Sequence, residues 1–173
     1  MILRTTLSLS AMLACAPPGL QAAELALKLE LPRLPVAEYH APYVAVWLQR
    51  AGDRTFAGHL AVWYDLKKKD NGGAKWLNDL RQWWRQAGRD TRMPVDGVSG
   101  ATRAPGEHLI QLGGARALAT LPSGDYELVV EAAREGGGRE VVRLPLRWPA
   151  TTAQQAQAQG GHELGRVSLQ ATP

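Results

Sequence analysis

Leucine residues alternate with other residue types near the start of the patterned part of the chain, at Leu25, Leu27, Leu29 and Leu31. An apolar side chain at every second position is the period of a strand with one buried face. Two further apolar runs, 43–49 and 59–64, flank a turn at residues 51–54. The first of these runs is apolar on both faces, and the two together predict a hairpin of central strands.

The spacing of apolar residues becomes helical between about residues 74 and 86. The apolar positions there are Trp76, Leu77, Leu80, Trp83 and Trp84, and polar residues fill the positions between them. This pattern predicts one amphipathic helix, ended by Gly88.

Strand patterns then return at 108–112, 126–132, 140–148 and 163–171. Between the last two, residues 151–161 are a low-complexity stretch of Ala and Gln that predicts a surface loop or a short linker. Short strands separated by turns and interrupted by one short helix predict an all-β fold. We expect an immunoglobulin-like β-sandwich of two antiparallel sheets, formed by residues 23–173 as a single domain.

The first 22 residues have the features of a secretory signal peptide. Arg4 precedes an apolar run, and small residues follow at Ala22 and Ala23. The sequence therefore predicts a periplasmic protein. A second interpretation, a lipoprotein signal with Cys15 as the lipidated residue, would anchor the protein to a membrane. Cys15 is the one cysteine of the chain, so a chain cut after residue 22 would have no thiol chemistry.

Charge and histidine content argue against two large classes of function. The chain has 20 Lys and Arg against 16 Asp and Glu, and its basic residues are dispersed, so no nucleic-acid partner is expected. Its four histidines have no ligand spacing, so no metal site is expected. We find no combination of residues that predicts a catalytic centre, so a hydrolase or other enzyme is not favoured.

One segment does suggest specific chemistry. Residues 96–102 have the form Asp-x-x-Ser-Gly-Ala-Thr, with Asp96, Ser99, Gly100, Ala101 and Thr102 at the specified positions. This segment resembles the acceptor motif of proteins that receive covalent FMN from the periplasmic FMN transferase. The resemblance implies that Thr102 is the acceptor and that its hydroxyl is esterified to the phosphate of FMN, which the transferase takes from FAD. It also implies that Asp96 is recognised by the transferase or holds the loop. A turn without further function is the alternative interpretation.

An acceptor of this kind needs an accessible hydroxyl with small neighbours. Gly100 and Ala101 would obstruct a bulky nucleotide little, so we expect an exposed loop here. Arg92 and Arg103 flank the motif, and each could pair with the phosphate charge or be solvated.

The tryptophans near residue 80 could stack on a flavin, although the helical spacing favours a place in the core. Our hypothesis is that Trp83 or Trp84 faces outward and lies against the flavin.

A wider resemblance covers most of the mature chain. The segments 43–47, 60–64, 83–84, 96–103 and 124–135 look like the predicted periplasmic family named domain of unknown function 2271. That family implies an immunoglobulin-like sandwich that occurs with the FMN transferase and with PepSY-type membrane redox proteins. The sequence thus favours an exported flavoprotein that transfers electrons with a membrane partner. An unmodified protein-interaction or structural module is the alternative.

Overall fold

The computed structural model describes residues 23–173, so the predicted signal peptide and Cys15 lie outside the described residues. Nine strands form most of this part of the chain. They are β1 Glu24–Leu31, β2 Tyr43–Arg50, β3 Phe56–Tyr64, β4 Ser99–Ala101, β5 Gly106–Gln111, β6 Gly124–Ala133, β7 Arg139–Trp148, β8 Gln154–Gln159 and β9 Arg166–Thr172.

The strands form two sheets, which confirms the predicted all-β sandwich. One sheet has the order β5-β1-β9-β8 and the other has the order β4-β3-β2-β6-β7. The predicted hairpin is β2 with β3, and β2 lies at the centre of the five-stranded sheet. Every strand pair is antiparallel except β3 with β4, where Val62 is opposite Ser99 in a short parallel pairing.

The main core lies between the two sheets. All four alternating leucines of β1 are buried there, against inward-facing residues of β2 and β6. Near the start of β6, the hydroxyl of Tyr126 donates a hydrogen bond to the backbone oxygen of Pro122 at 2.6 Å. A tyrosine bonded to the backbone a few residues upstream is the tyrosine corner of immunoglobulin-like sandwiches.

A second core covers the outer face of the five-stranded sheet. Ala45 and Trp47 of β2 contact Leu77, Leu80 and Trp83 there. This layer explains why β2 is apolar on both faces, because each face packs against a different layer of the protein.

The predicted amphipathic helix is shorter and less regular than its spacing indicated. A 3₁₀ segment spans Lys69–Asp79, interrupted by left-handed backbone at Asp70 and Asn71, and the α-helix α1 spans only Arg81–Gln86. Leu80, between them, has ψ of 67°, which no helix accommodates, so the two segments cannot join. A four-residue helix, α2, follows at Arg116–Ala119. None of the helices within residues 23–173 has the length and apolar character that spanning a bilayer requires.

The prediction of a loop at residues 151–161 was wrong for its central part. Gln154–Gln159 is β8, which pairs with β9 over its whole length. Alternate residues Ala156 and Ala158 pack against the main core. Alanine and glutamine have low strand propensity, and the partner strand supplies the stabilisation that the local sequence lacks.

Candidate functional site

The segment 96–102 combines a tight turn with a strand. The backbone N–H of Ser99 donates to the oxygen of Val95 at 2.9 Å, and the Ser99 hydroxyl accepts a hydrogen bond from the Val95 N–H at 2.8 Å. Within this turn Gly97 has φ of +73°, which a residue with a Cβ rarely adopts. Ser99 therefore closes the turn, and β4 begins at the same residue.

Two backbone hydrogen bonds fix β4 against the edge of the sheet. The N–H of Val62 donates to Val98 at 2.8 Å, and the N–H of Thr102 donates to Tyr64 at 3.2 Å. Thr102 is therefore held at the residue directly after an edge strand, where the sequence predicted an exposed loop. Because the backbone of Thr102 is already fixed, less conformational entropy is lost when a group attached to its side chain is held in one position.

Gly100 and Arg103 both contact the indole of Trp63. A Cβ at Gly100 would lie 3.0 Å from Cδ1 of Trp63, so a larger residue would displace that buried ring. The guanidinium of Arg103 lies 4.1 Å from the centroid of the Trp63 ring. Arg103 is thus held by a cation–π contact, which neither of the two sequence-based expectations for this residue included.

Thr102 lines a cleft of about 160 Å³, which we call the Thr102 cleft. The other lining side chains are aromatic at Tyr43 and Trp76, acidic at Asp65, Asp79 and Glu135, and basic at Lys68, with His40 and Ala41 beside them. Burial raises the pKa of the Tyr43 hydroxyl, which donates to the backbone oxygen of Gly73 at 3.1 Å. At neutral pH the lining has three carboxylates and one ammonium group, so the cleft is acidic.

The remaining motif residues lie on other surfaces. Asp96 lines a separate cleft of about 210 Å³ together with His59 and Arg116. Ser99, Gly100 and Arg103 line a third cleft, of about 360 Å³, between β4 and β5. Ala101 is exposed, as is Arg92. The structure therefore distributes the motif residues over three clefts and does not bring their side chains into one cavity.

Of the two residues in the hypothesis that Trp83 or Trp84 faces outward, Trp83 does not, whereas Trp84 is partly exposed. Trp83 is fully buried, and its indole N–H donates to Nδ1 of His59 at 3.1 Å. Trp84 is half-buried with its ring 6.3 Å from that of Trp83, and neither residue lines the Thr102 cleft.

Trp76 is the tryptophan that lines the Thr102 cleft. It lies in the 3₁₀ segment, before α1 begins, so the helical period that placed it on the apolar stripe does not apply to it. Gly72 and Gly73 precede the predicted start of the helix at about residue 74, so they gave no signal that α1 begins only at Arg81.

The family model described as "Predicted periplasmic protein (DUF2271)" matches residues 24–166, from the first residue of β1 to the first residue of β9. The chain belongs to this family. The match includes β1 to β8 and the whole segment 96–102, and the family description places this DUF2271 protein in the periplasm. No curated protein and no solved structure matches the chain.

Proposed function

We propose that this DUF2271 protein is a periplasmic electron carrier with FMN attached to Thr102 through a phosphoester. The observation that carries the proposal is the position of Thr102. It is the last residue of an Asp-x-x-Ser-Gly-Ala-Thr segment, it is only partly buried, and it lies at the rim of a cleft that contains a half-exposed tryptophan.

The surroundings of Thr102 fit a tethered flavin that exchanges electrons with another protein. Pockets that enclose a whole small molecule usually measure about 300–1,000 Å³. The Thr102 cleft is about 160 Å³, so it can hold part of a flavin and leave the rest at the surface. Bound FMN would supply one- and two-electron chemistry, and exposure at the surface would let a redox partner approach it.

The attachment requires little of this chain beyond an accessible hydroxyl. Thr102 loses its proton and forms a bond from Oγ1 to the phosphorus of the FMN half of FAD, while the bond to the other phosphate breaks and AMP leaves. The FMN transferase and its metal would accept the proton and stabilise the leaving group. The hydrogen bonds that hold β4 on β3 present Thr102 to that enzyme in a defined position.

In this role the protein would accept electrons from, or pass them to, a PepSY-type membrane redox protein. This partner follows from the family resemblance of the sequence. The unmodified interaction module is the alternative, and it predicts a colourless protein.

Substitution at Thr102 tests the proposal. Thr102→Ala, purified from cells that express the FMN transferase, should be colourless and unmodified in mass, because the acceptor hydroxyl is gone. Thr102→Ser and Ser99→Ala should both be yellow and heavier by FMN less one water. Intact mass and visible absorbance measure the result. Flavin on Thr102→Ala would contradict Thr102 as the acceptor, whereas an unmodified wild type beside an active transferase would favour the alternative.

A further inference from the structure

Trp76 is unusual among the tryptophans of the protein because almost half of its surface is exposed. Its relative exposure is 48%, whereas Trp47, Trp63, Trp83 and Trp148 are 0–6% exposed. Tryptophan has a large apolar surface that is stabilised by burial, so an indole left in water at the rim of a cleft offers a free apolar face. The next residue, Leu77, is buried and anchors this segment to the sheet.

The polar groups around Trp76 suit the edge of a flavin ring. An isoalloxazine has a ring N–H between two carbonyl groups. Carboxylates at Asp65, Asp79 and Glu135 can accept from the N–H, and the ammonium of Lys68 can donate to a carbonyl. An apolar wall with a few convergent polar groups is the usual composition of a cofactor site.

Charge in the cleft determines which part of an attached FMN could enter it. Three carboxylates against one ammonium group repel the negatively charged phosphate, whereas the oxidised ring is uncharged. The phosphate would therefore remain at Thr102 on the rim, and the ring would extend from there into the cleft.

We propose that Trp76 is the stacking residue for the flavin, and that the isoalloxazine lies with one face on the Trp76 indole inside the Thr102 cleft. This inference rests on the proposed attachment of FMN to Thr102. It adds that the isoalloxazine has a fixed binding position, on a residue 26 positions before the acceptor in the sequence.

The fluorescence yield of the attached flavin tests whether the isoalloxazine stacks on Trp76. An indole in contact with a flavin quenches its emission, so the wild type should be strongly quenched. Trp76→Leu should increase the emission per attached flavin several-fold, and Trp76→Phe should give a smaller increase. Trp84→Leu is the matched control, because Trp84 is also partly exposed but does not line the cleft. Trp84→Leu should leave the yield at the wild-type value.

Intact mass is measured on each sample, together with the far-ultraviolet circular dichroism that reports folding. Equal flavin emission from folded, fully flavinylated wild type and Trp76→Leu would overturn the stacking role while leaving the attachment intact. Loss of quenching in Trp84→Leu alone would also overturn it. A wild type without the added mass would overturn the attachment itself, and with it the stacking of the flavin on Trp76.

Discussion

His59 of β3 connects α1 to the residues that follow it, on the outer face of the five-stranded sheet. Its Nδ1 accepts the hydrogen bond from the Trp83 indole, which can only donate, so the proton of neutral His59 is on Nε2. Nε2 lies 3.1 Å from the hydroxyl of Thr91, which in turn donates to the oxygen of Ala87. Burial lowers the pKa of His59 from its ordinary value of 6.5. The fold therefore favours the neutral imidazole.

This contact predicts a pH dependence of stability. Because the pKa of His59 is lower in the folded than in the unfolded chain, the unfolded chain binds more protons at this site below about pH 6.5. The free energy of unfolding should consequently fall as the pH decreases from about 6.5. His59→Gln retains a donor and an acceptor without a charge change, so its stability should decrease less over that range. Urea unfolding of both proteins between pH 5 and 7.5 measures the difference, and parallel pH profiles would contradict the assignment.

At the scale of elements, α1 is attached to the sheet by a buried carboxylate. Glu131 of β6 is fully buried, and its two oxygens accept hydrogen bonds from the backbone N–H groups of Gln82 and Trp83 at 3.0 and 2.8 Å. The guanidinium of Arg139 lies 2.9 Å from the same carboxylate. Glu131 thus caps the first turn of a helix that has no capping side chain of its own.

Removal of this charge should destabilise the protein. Glu131→Gln replaces one accepting oxygen with a donor that faces a backbone N–H, so a hydrogen bond to a charged group is lost at a cost of about 2 kcal/mol. Asp125→Asn is the control, because the pair that Asp125 forms with Arg147 is more than 60% exposed on both sides. We expect it to cost under about 1 kcal/mol. Chemical denaturation measures both, and equal costs would contradict the capping role.

The elements that the sequence predicted well are those with a strong period. β1 has alternating leucines, and β2 has an apolar run with two buried faces. Each pattern predicts a strand, because only a strand with that burial pattern places its apolar residues inside. β4 has three residues and is too short for any period. β8 depends on pairing with β9, and the local sequence contains no signal of this tertiary contact.

At the scale of the whole molecule, the candidate site divides into a part that sequence reveals and a part that it does not. The segment 96–102 is contiguous, so the proposed acceptor position can be read directly from the sequence. The cleft beside Thr102 is assembled from β2, the segment after β3, the 3₁₀ segment and the residue Glu135 after β6. Only the fold brings these residues together, which is why Trp76 was not distinguished from its neighbours by the pattern alone.

The sandwich also determines how accessible the proposed acceptor, Thr102, is to other proteins. β4 is an edge strand of the five-stranded sheet, so Thr102 lies where a large enzyme can approach from the side. A carrier must be reached in turn by the transferase and by its redox partner, and a position at the margin of a stable sheet serves both.

The most direct test of the account is the mass of one peptide. Trypsin cuts after Arg92 and Arg103, and the peptide 93–103 contains the whole motif with two hydroxyl side chains, Ser99 and Thr102. In protein from cells with an active FMN transferase, this peptide should gain the mass of FMN less one water, and fragmentation should place that mass on Thr102. An unmodified peptide, or the added mass on Ser99, would contradict the account.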